Sequence, residues 1–429
     1  MLDSVGVVDI GDFTGGRWRA ATARCPKTMT HGPCAGVDTD GSCEVPGFGT
    51  CAFLEVDPAG WPYAAAPAAP AGPAGQVPAA SRRDSPGSPA GRPPRVAEFL
   101  AAAATRPVIV ADLPAAPLSA ASLRASAAAL AGTADACLLG DHGGARVQFP
   151  PSYRARLLAE EGVPAWAGIN CRDRNQVAIE GEIAACADAG AVALHCVTGD
   201  HTALGHRADA AGVFDLDSVG VVELAAAAAA RSGGPLCSVA HAPAAPPAER
   251  RLPRLLAKID AGADAVFVDH CGGPGPVADA VGELRAAGFT GLVLICVPVV
   301  TSAASAAVIA SFAGARLPPG YLERITGDAW APPANGAAGA AGAGIAAVTA
   351  VEAAEIEAAG IAECTELAER MLEIPGVDGV NLSGGAPPGQ EAALATAMAE
   401  IARRVLGVAA PPGRRGRRRA AAGTGAGPS

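Results

Sequence analysis

Only two lysines, Lys27 and Lys258, stand in a chain that otherwise draws its cations from arginine, and each lies in a segment able to do chemistry. Lys27 sits among four closely spaced cysteines, Cys25, Cys34, Cys43 and Cys51, separated by eight, eight and seven residues in a run rich in Gly and Pro. Four clustered thiols in a reducing setting suit tetrahedral metal ligation. Zn²⁺ is the first expectation, as a staple for a segment too short to have much core, and a [4Fe–4S] cluster is the alternative. The gaps are not those of paired C-x₂-C ligands, so the pattern alone does not choose between them. His31 falls in the same run and is read as solvent-facing. The other eight cysteines stand singly in apolar segments such as ALHCVTG and LVLICVPV, as small buried hydrophobes do.

A second set of reactive types recurs at regular intervals. Asp112, Asp141, Asn170, Asp200, His241, Asp269 with His270, and Asn381 each follow a short apolar run. One such residue is ordinarily a helix cap, but the whole series describes a polar pocket at one mouth of a barrel. The elements that must position them are eight β-rich runs: RPVIVADLP, DACLLGD, PAWAGINC, AVALHCVTGD, PLCSVAHA, DAVFVDHC, GLVLICVPVV and VDGVNLSGG. Segments of helical length lie between them, among them Leu118–Leu130, Arg174–Ala189, Leu216–Arg231 and Glu249–Ala261. Apolar strands alternating with helices make a parallel sheet covered by helices. Eight such units in under 320 residues favour a closed (β/α)₈ TIM barrel, and no G-x-G-x-x-G follows the first strand. The expected fold is therefore α/β, a barrel preceded by a small cysteine-rich metal domain.

Four stretches of the barrel zone are more specific: CRDRNQ (Cys171–Gln176), TGDH (Thr198–His201), VFDLDS (Val213–Ser218) and LLAKIDAGADAVFV (Leu255–Val268). In order and spacing they resemble the methylenetetrahydrofolate reductase family, in its short, cysteine-domain-bearing branch. The segment CPKTMTHGPCAGVDTDGSCEVPGFGTC resembles the small domain attached to that branch, usually at its other end. The resemblance implies a flavoenzyme, with FAD or FMN, that reduces methylenetetrahydrofolate to methyltetrahydrofolate for methionine supply. NAD(P)H or a redox partner protein would be its donor. It further implies a cofactor-binding set of Asn170, Thr198, Gly199, Asp200, Asp217 and Lys258. Asp200 would lie beside the flavin, Asp217 at its polar tail and Lys258 near its phosphate. Asp112 would be a general acid, with Asp200 a second catalytic residue, and Asp269 and His270 would meet the substrate. The chain departs from the family at Gly168, where a histidine is usual, at Val268–Asp269 in place of a Thr-Gln pair, and at a missing aromatic in LICVPVV. These departures keep open an accessory paralogue that binds folate or a partner subunit without catalysis. A Schiff-base lyase or aldolase reads less well, because Lys258 lies within the helix before strand six rather than at a strand end.

Bulk properties set the limits. The 429 residues carry a net charge of −10, half of them apolar and 4% aromatic. Nothing in that balance suits a nucleic-acid partner or a membrane, and no apolar run reaches the ~18 residues of a membrane span. A cytoplasmic protein is expected, with a homo-oligomer left open. The zones read as a four-cysteine domain over 1–63, a Pro/Ala-rich linker over 64–95, the barrel over 96–407 and a basic tail over 408–429. Within the tail the run Arg414–Arg419 is read as a solvated end, and Pro332–Gly344 between strands seven and eight as a low-complexity insertion.

Overall fold

The computed structural model describes residues 16–56, 92–141, 144–312, 314–330 and 348–408. The linker expected over 64–95 lies almost wholly outside the described residues, as do Pro332–Gly344 and the basic run Arg414–Arg419. The linker's last residues, Pro94 and Arg95, already belong to a helix.

A helix α1 (Gly16–Arg24) opens the small N-terminal domain. Helix α2 (Pro94–Ala103) leads into the first barrel unit, β1 (Val108–Asp112) and α3 (Ala120–Leu130). The next units are β2 (Ala136–Leu139) with α4 (Pro151–Glu160), β3 (Ala165–Asn170) with α5 (Gln176–Asp188), and β4 (Ala193–Val197) with α6 (Ser218–Ser232). Then follow β5 (Leu236–His241) with α7 (Arg251–Ala261), and β6 (Ala265–Val268) with α8 (Pro274–Ala286). After β7 (Leu292–Pro298) come α9 (Ala303–Ala310), α10 (Tyr321–Thr326) and α11 (Ala350–Leu372). β8 (Gly379–Ser383) and α12 (Glu391–Val405) complete the set. All eight strands pair in parallel with their sequence neighbours, and β8 returns to β1, closing the barrel as expected.

Residue parity explains the layering. Successive strand side chains point to opposite faces. Ile109, Ala111, Cys137, Leu139, Ala167, Ile169 and Val239 pack outward against the helices. Val108, Val110, Ala136, Leu138, Trp166, Phe267 and Leu294 fill the interior. Val96 and Phe99 of α2 join that inner cluster and plug the barrel floor. Trp166 is its anchor: fully buried, it donates from Nε1 to Ser238 Oγ at 2.8 Å. Its ring meets Phe99 and Phe267 edge-on at 5.5 and 5.0 Å. The inward phase that carries Val108 and Val110 ends on Asp112, and that of Trp166 runs through Gly168 to Asn170. The polar mouth is thus the upper continuation of the packed interior.

The small domain has a core of its own around Trp18, Met29, Val37 and Phe53. Trp18 and Phe53 meet edge-on at 5.0 Å, and two isolated bridges, Val37 with Cys43 and Ser42 with Thr50, tie its loops. Among the described residues no helix is long and apolar enough to cross a membrane.

Replacing Trp166 by Ala removes the inner anchor and one of the hydrogen bonds to the Ser238 hydroxyl. It should cost about 3–5 kcal/mol, read as a lower midpoint in guanidinium unfolding.

Candidate functional site

A cavity of about 290 Å³ opens at the C-terminal mouth of the barrel. Asp141, Asn170, Thr198, Asp200, His241 and Lys258 line it from the barrel. Its outer wall comes from the small domain, which contributes Lys27, Cys34 and Glu44. The site therefore lies between two parts of the chain far apart in sequence.

Buried charge holds those parts together. Asp217 begins α6 as its N-cap, accepting from Val219 N at 2.9 Å. The same carboxylate accepts from His31 N at 3.1 Å, meets His31 Nδ1 at 2.9 Å, and lies 3.9 Å from Arg254. Burial opposes its charge, but the His31 contact and Arg254 hold the carboxyl well below the usual range. Arg254 donates to His31 O, and Arg251 to Pro33 O and Cys34 O at 3.3 and 3.1 Å. Thr28 Oγ1 donates to Phe214 O at 2.8 Å, while Glu44 pairs with Lys27 and accepts from His201 N at 3.2 Å. His31, expected to face solvent, is instead partly buried, its backbone N–H and ring held against Asp217.

The motifs of the β3 and β4 exits form a clasp. Arg172 is almost fully buried and reaches Asp141 and Asp173, both at 2.8 Å. Asn170 Nδ2 donates to both Asp141 oxygens at 3.0 and 2.8 Å, and its Oδ1 accepts from Arg172 N at 3.1 Å. Gly199 has φ +84°, and a Cβ there would lie 2.9 Å from Asn170 Cβ, so the Thr198–Asp200 turn requires glycine. Gly168 is compelled likewise: a Cβ would sit 2.8 Å from Leu139 O, leaving no room for a histidine.

Inside the mouth, burial moves acids and bases toward one another. It drives Lys258 down to about 7, with nearby Arg254 adding to the effect. Lys258 Nζ donates to Ala240 O at 2.8 Å, so the ammonium stands at the β5 strand end. Asp269 is pushed up to about 7 by burial, which Lys258 partly offsets. Asp112 rises to about 6 by burial, against hydrogen bonds from Asn381, Ser383 and the Gly384 backbone. Asn381 Nδ2 donates to Asp112 at 3.0 Å, and its buried Oδ1 has no hydrogen-bond partner among the described residues. Burial drives His195 and His241 down to about 3 and His270 to about 4, so all three are neutral imidazoles near pH 7.

The fold brings Asn170, Thr198, Gly199, Asp200 and Lys258 into one pocket, whereas Asp112 and Asp269, buried at the ends of β1 and β6, are not among the residues that line it. It places Asp217 at the domain seam instead of in the cavity. Asp200 is half exposed on the rim, 3.6 Å from Arg146. His270 is buried behind Asp269, its Nδ1 without a hydrogen-bond partner among the described residues. Sequence reasoning missed Arg251, Arg254, Glu44 and the interior His195. Arg251, Arg254 and Lys258 recur at helical spacing, a signal that was available. Glu44 announced nothing.

The N-terminal segment 18–58 matches a family profile described as methylene-tetrahydrofolate reductase C terminal. A comparison with curated proteins returns no match. Solved structures with similarity include 2,3-dimethylmalate lyase, of the PEP mutase/isocitrate lyase superfamily: 14% identity, TM-score 0.38, 67% of this chain and 80% of that one. Oxaloacetate acetylhydrolase is another, at 16% identity and TM-score 0.36 over 47% of this chain and 71% of that one. Likenesses this weak bring no activity to this chain.

The expected flavin-dependent reduction of methylenetetrahydrofolate is overturned, and the accessory, folate-binding variant with it. The match that bears the reductase's name spans only residues 18–58 and leaves the barrel uncovered, and the comparison with curated proteins adds no reductase. The site itself does not fit FAD or FMN together with a folate. Asp217 is spent on the small domain, and Thr198 Oγ1 accepts from Ser218 N at 3.2 Å. The cavity's 290 Å³ is at the lower end of the ~300–1,000 Å³ of ligand pockets, too little for a flavin nucleotide and a pterin together. The Zn²⁺ or [4Fe–4S] expectation is corrected as well. Cys25, Cys34, Cys43 and Cys51 border one small cavity as free thiols. Yet no group of three or more His, Cys, Asp or Glu among the described residues is placed to hold a metal ion. Burial pushes Cys51 up to about 11 and raises Cys25 and Cys43, and Cys25, Cys34 and Cys51 pack on the small domain's core.

Asp217→Ala removes the buried carboxylate that His31 and Arg254 share and should loosen the seam by roughly 2–5 kcal/mol, seen as faster hydrogen exchange at the His31 and Cys34 amides. Because the folded carboxyl sits below its unfolded value, the wild-type seam is fully protected above pH ~4 and opens only as pH falls further.

Proposed function

We propose that this chain is an acid–base enzyme that binds a small anionic substrate at the barrel mouth and cleaves or isomerises it by proton transfer. The observation that carries this reading is Lys258, drawn to about 7 and coupled electrostatically to the buried Asp269, likewise near 7, in a cavity walled by Arg251 and Arg254. A proton donor and acceptor work best when their affinities for the proton match the working pH. Two titrating groups driven together by burial meet that demand. The guanidiniums keep their charge at any physiological pH and give the pocket its preference for anions. Neutral His195 and His241 add hydrogen bonds without further charge. The cavity size suits a substrate of a few carbon atoms. All twelve cysteines are unpaired, which supports the reducing, cytoplasmic setting read from the sequence.

Succinate, fully ionised near neutrality, is the probe for the intact protein in isothermal titration calorimetry. As pH rises through about 7, Lys258 loses its charge while Asp269 and Asp112 gain theirs, so every change disfavours the anion. Affinity should fall at least about tenfold between pH ~6 and ~8.5, roughly 1.4 kcal/mol. Lys258→Met should weaken binding at the lower pH and flatten this dependence. Absence of binding, or binding equal at both pH values, overturns the reading.

A further inference from the structure

We infer that Lys258 captures carbonyl compounds: its amine condenses with the ketone or aldehyde carbon of a small oxo acid in the mouth cavity, forming an imine. The inference rests on the anion-site reading and names the substrate class for it.

The geometry supplies what such a lysine needs. Although it lies on α7, Lys258 spans from the helix to the end of β5, where Nζ is held by Ala240 O at 2.8 Å. The objection that no lysine stands at a strand end therefore fails, since a four-carbon stem brings this one there. Lys258 lines the mouth cavity with Arg251 and Arg254, two cations able to hold a carboxylate beside the reacting carbon. The charged and titratable groups around it come from every neighbouring element: Arg251 and Arg254 on α7, Asp217 at the start of α6, Asp269 after β6, His195 on β4 and His241 on β5. A like charge at close range and an apolar surround both favour the free amine, the nucleophilic form. Near neutrality Lys258 is an amine in a substantial fraction of molecules.

The step balances without an oxidant or reductant. The Nζ lone pair attacks the carbonyl carbon, forming the C–N bond, while the C=O π pair moves to oxygen and takes up a proton. Loss of the second amine proton and departure of that oxygen as water then leave the C=N bond. Amine and carbonyl go in, and imine and water come out. Solvent at the open mouth supplies and takes up these protons, while the buried Asp269, coupled electrostatically to Lys258, helps set how readily the amine gives up its own.

The chain carries its own control. The only other lysine, Lys27, lines the same cavity. It is buried and paired with Glu44, and although burial works against its charge, Cys34, Glu44 and Asp200 raise its pKa. It is a fixed ammonium with no lone pair to offer.

The test incubates the full-length protein with pyruvate or glyoxylate and sodium cyanoborohydride, then maps reduced adducts by peptide mass. Lys258 should be labelled at least about tenfold faster than Lys27 or the terminal amine, and faster as pH rises through neutrality. Lys258→Arg should abolish the adduct, and the urea-unfolded chain should lose the preference between the two lysines. Equal labelling of both lysines in the folded protein, preference for Lys27, or no adduct on Lys258 overturns the inference. If succinate binds but no adduct forms, the imine alone is lost. If Lys258 is trapped but succinate does not bind, the anion reading fails and carbonyl capture stands.

Discussion

One buried carboxylate, Asp217, organises the upper half of this molecule. It caps α6, takes the backbone and ring of His31, and lies against Arg254. An isolated charge in that position would be prohibitively costly, so its partners have to come from somewhere. They come from the small domain on one side and from α7 on the other. The result is a seam in which Arg251 and Arg254 reach backbone carbonyls of residues 31–34. The cavity exists only because that seam lays Lys27, Cys34 and Glu44 across an otherwise open mouth.

Enclosure then sets the chemistry. A lysine and an aspartate in water titrate more than six units apart. Lys258 in the mouth and Asp269 buried at the end of β6 both lose solvent, which penalises the ionised form of each and brings them to about 7. The same desolvation strips the proton from the interior histidines and holds Asp112 at about 6. No unusual side chain is needed. The small domain acts on reactivity by excluding water as much as by any contact of its own.

Motifs that pointed to a flavin serve this architecture. The CRDRN stretch supplies Arg172, whose guanidinium fastens the β3 exit to Asp141 and Asp173. Asn170 and Gly199 pack so closely that each restricts the other. VFDLDS delivers the carboxylate of the seam. The spacing of such motifs survives as long as the strand exits do, whatever molecule occupies the mouth, so spacing alone is weak testimony about the ligand.

Strand number, order and inward phase were legible because they depend only on period. Alternation along VIVAD, AWAGIN and AVFVD assigns Asp112, Asn170 and Asp269 to the interior before any contact is known. The helices between the strands and the core of the barrel follow from the same alternation. Tertiary structure alone decided which polar residues became partners and which faced the cavity. His31 and Asp217 stand 186 residues apart, and nothing local to either marks the other. Lys258, read as a helix residue remote from the strand ends, reaches one because α7 packs directly over β5. The four cysteines read as metal ligands from their density, and the fold does bring them around one small cavity. Yet no three ligand side chains among the described residues take up a geometry that would hold an ion, which spacing along a chain does not encode. Proton affinity belongs to the same class, since it depends on how much water the assembled mouth excludes.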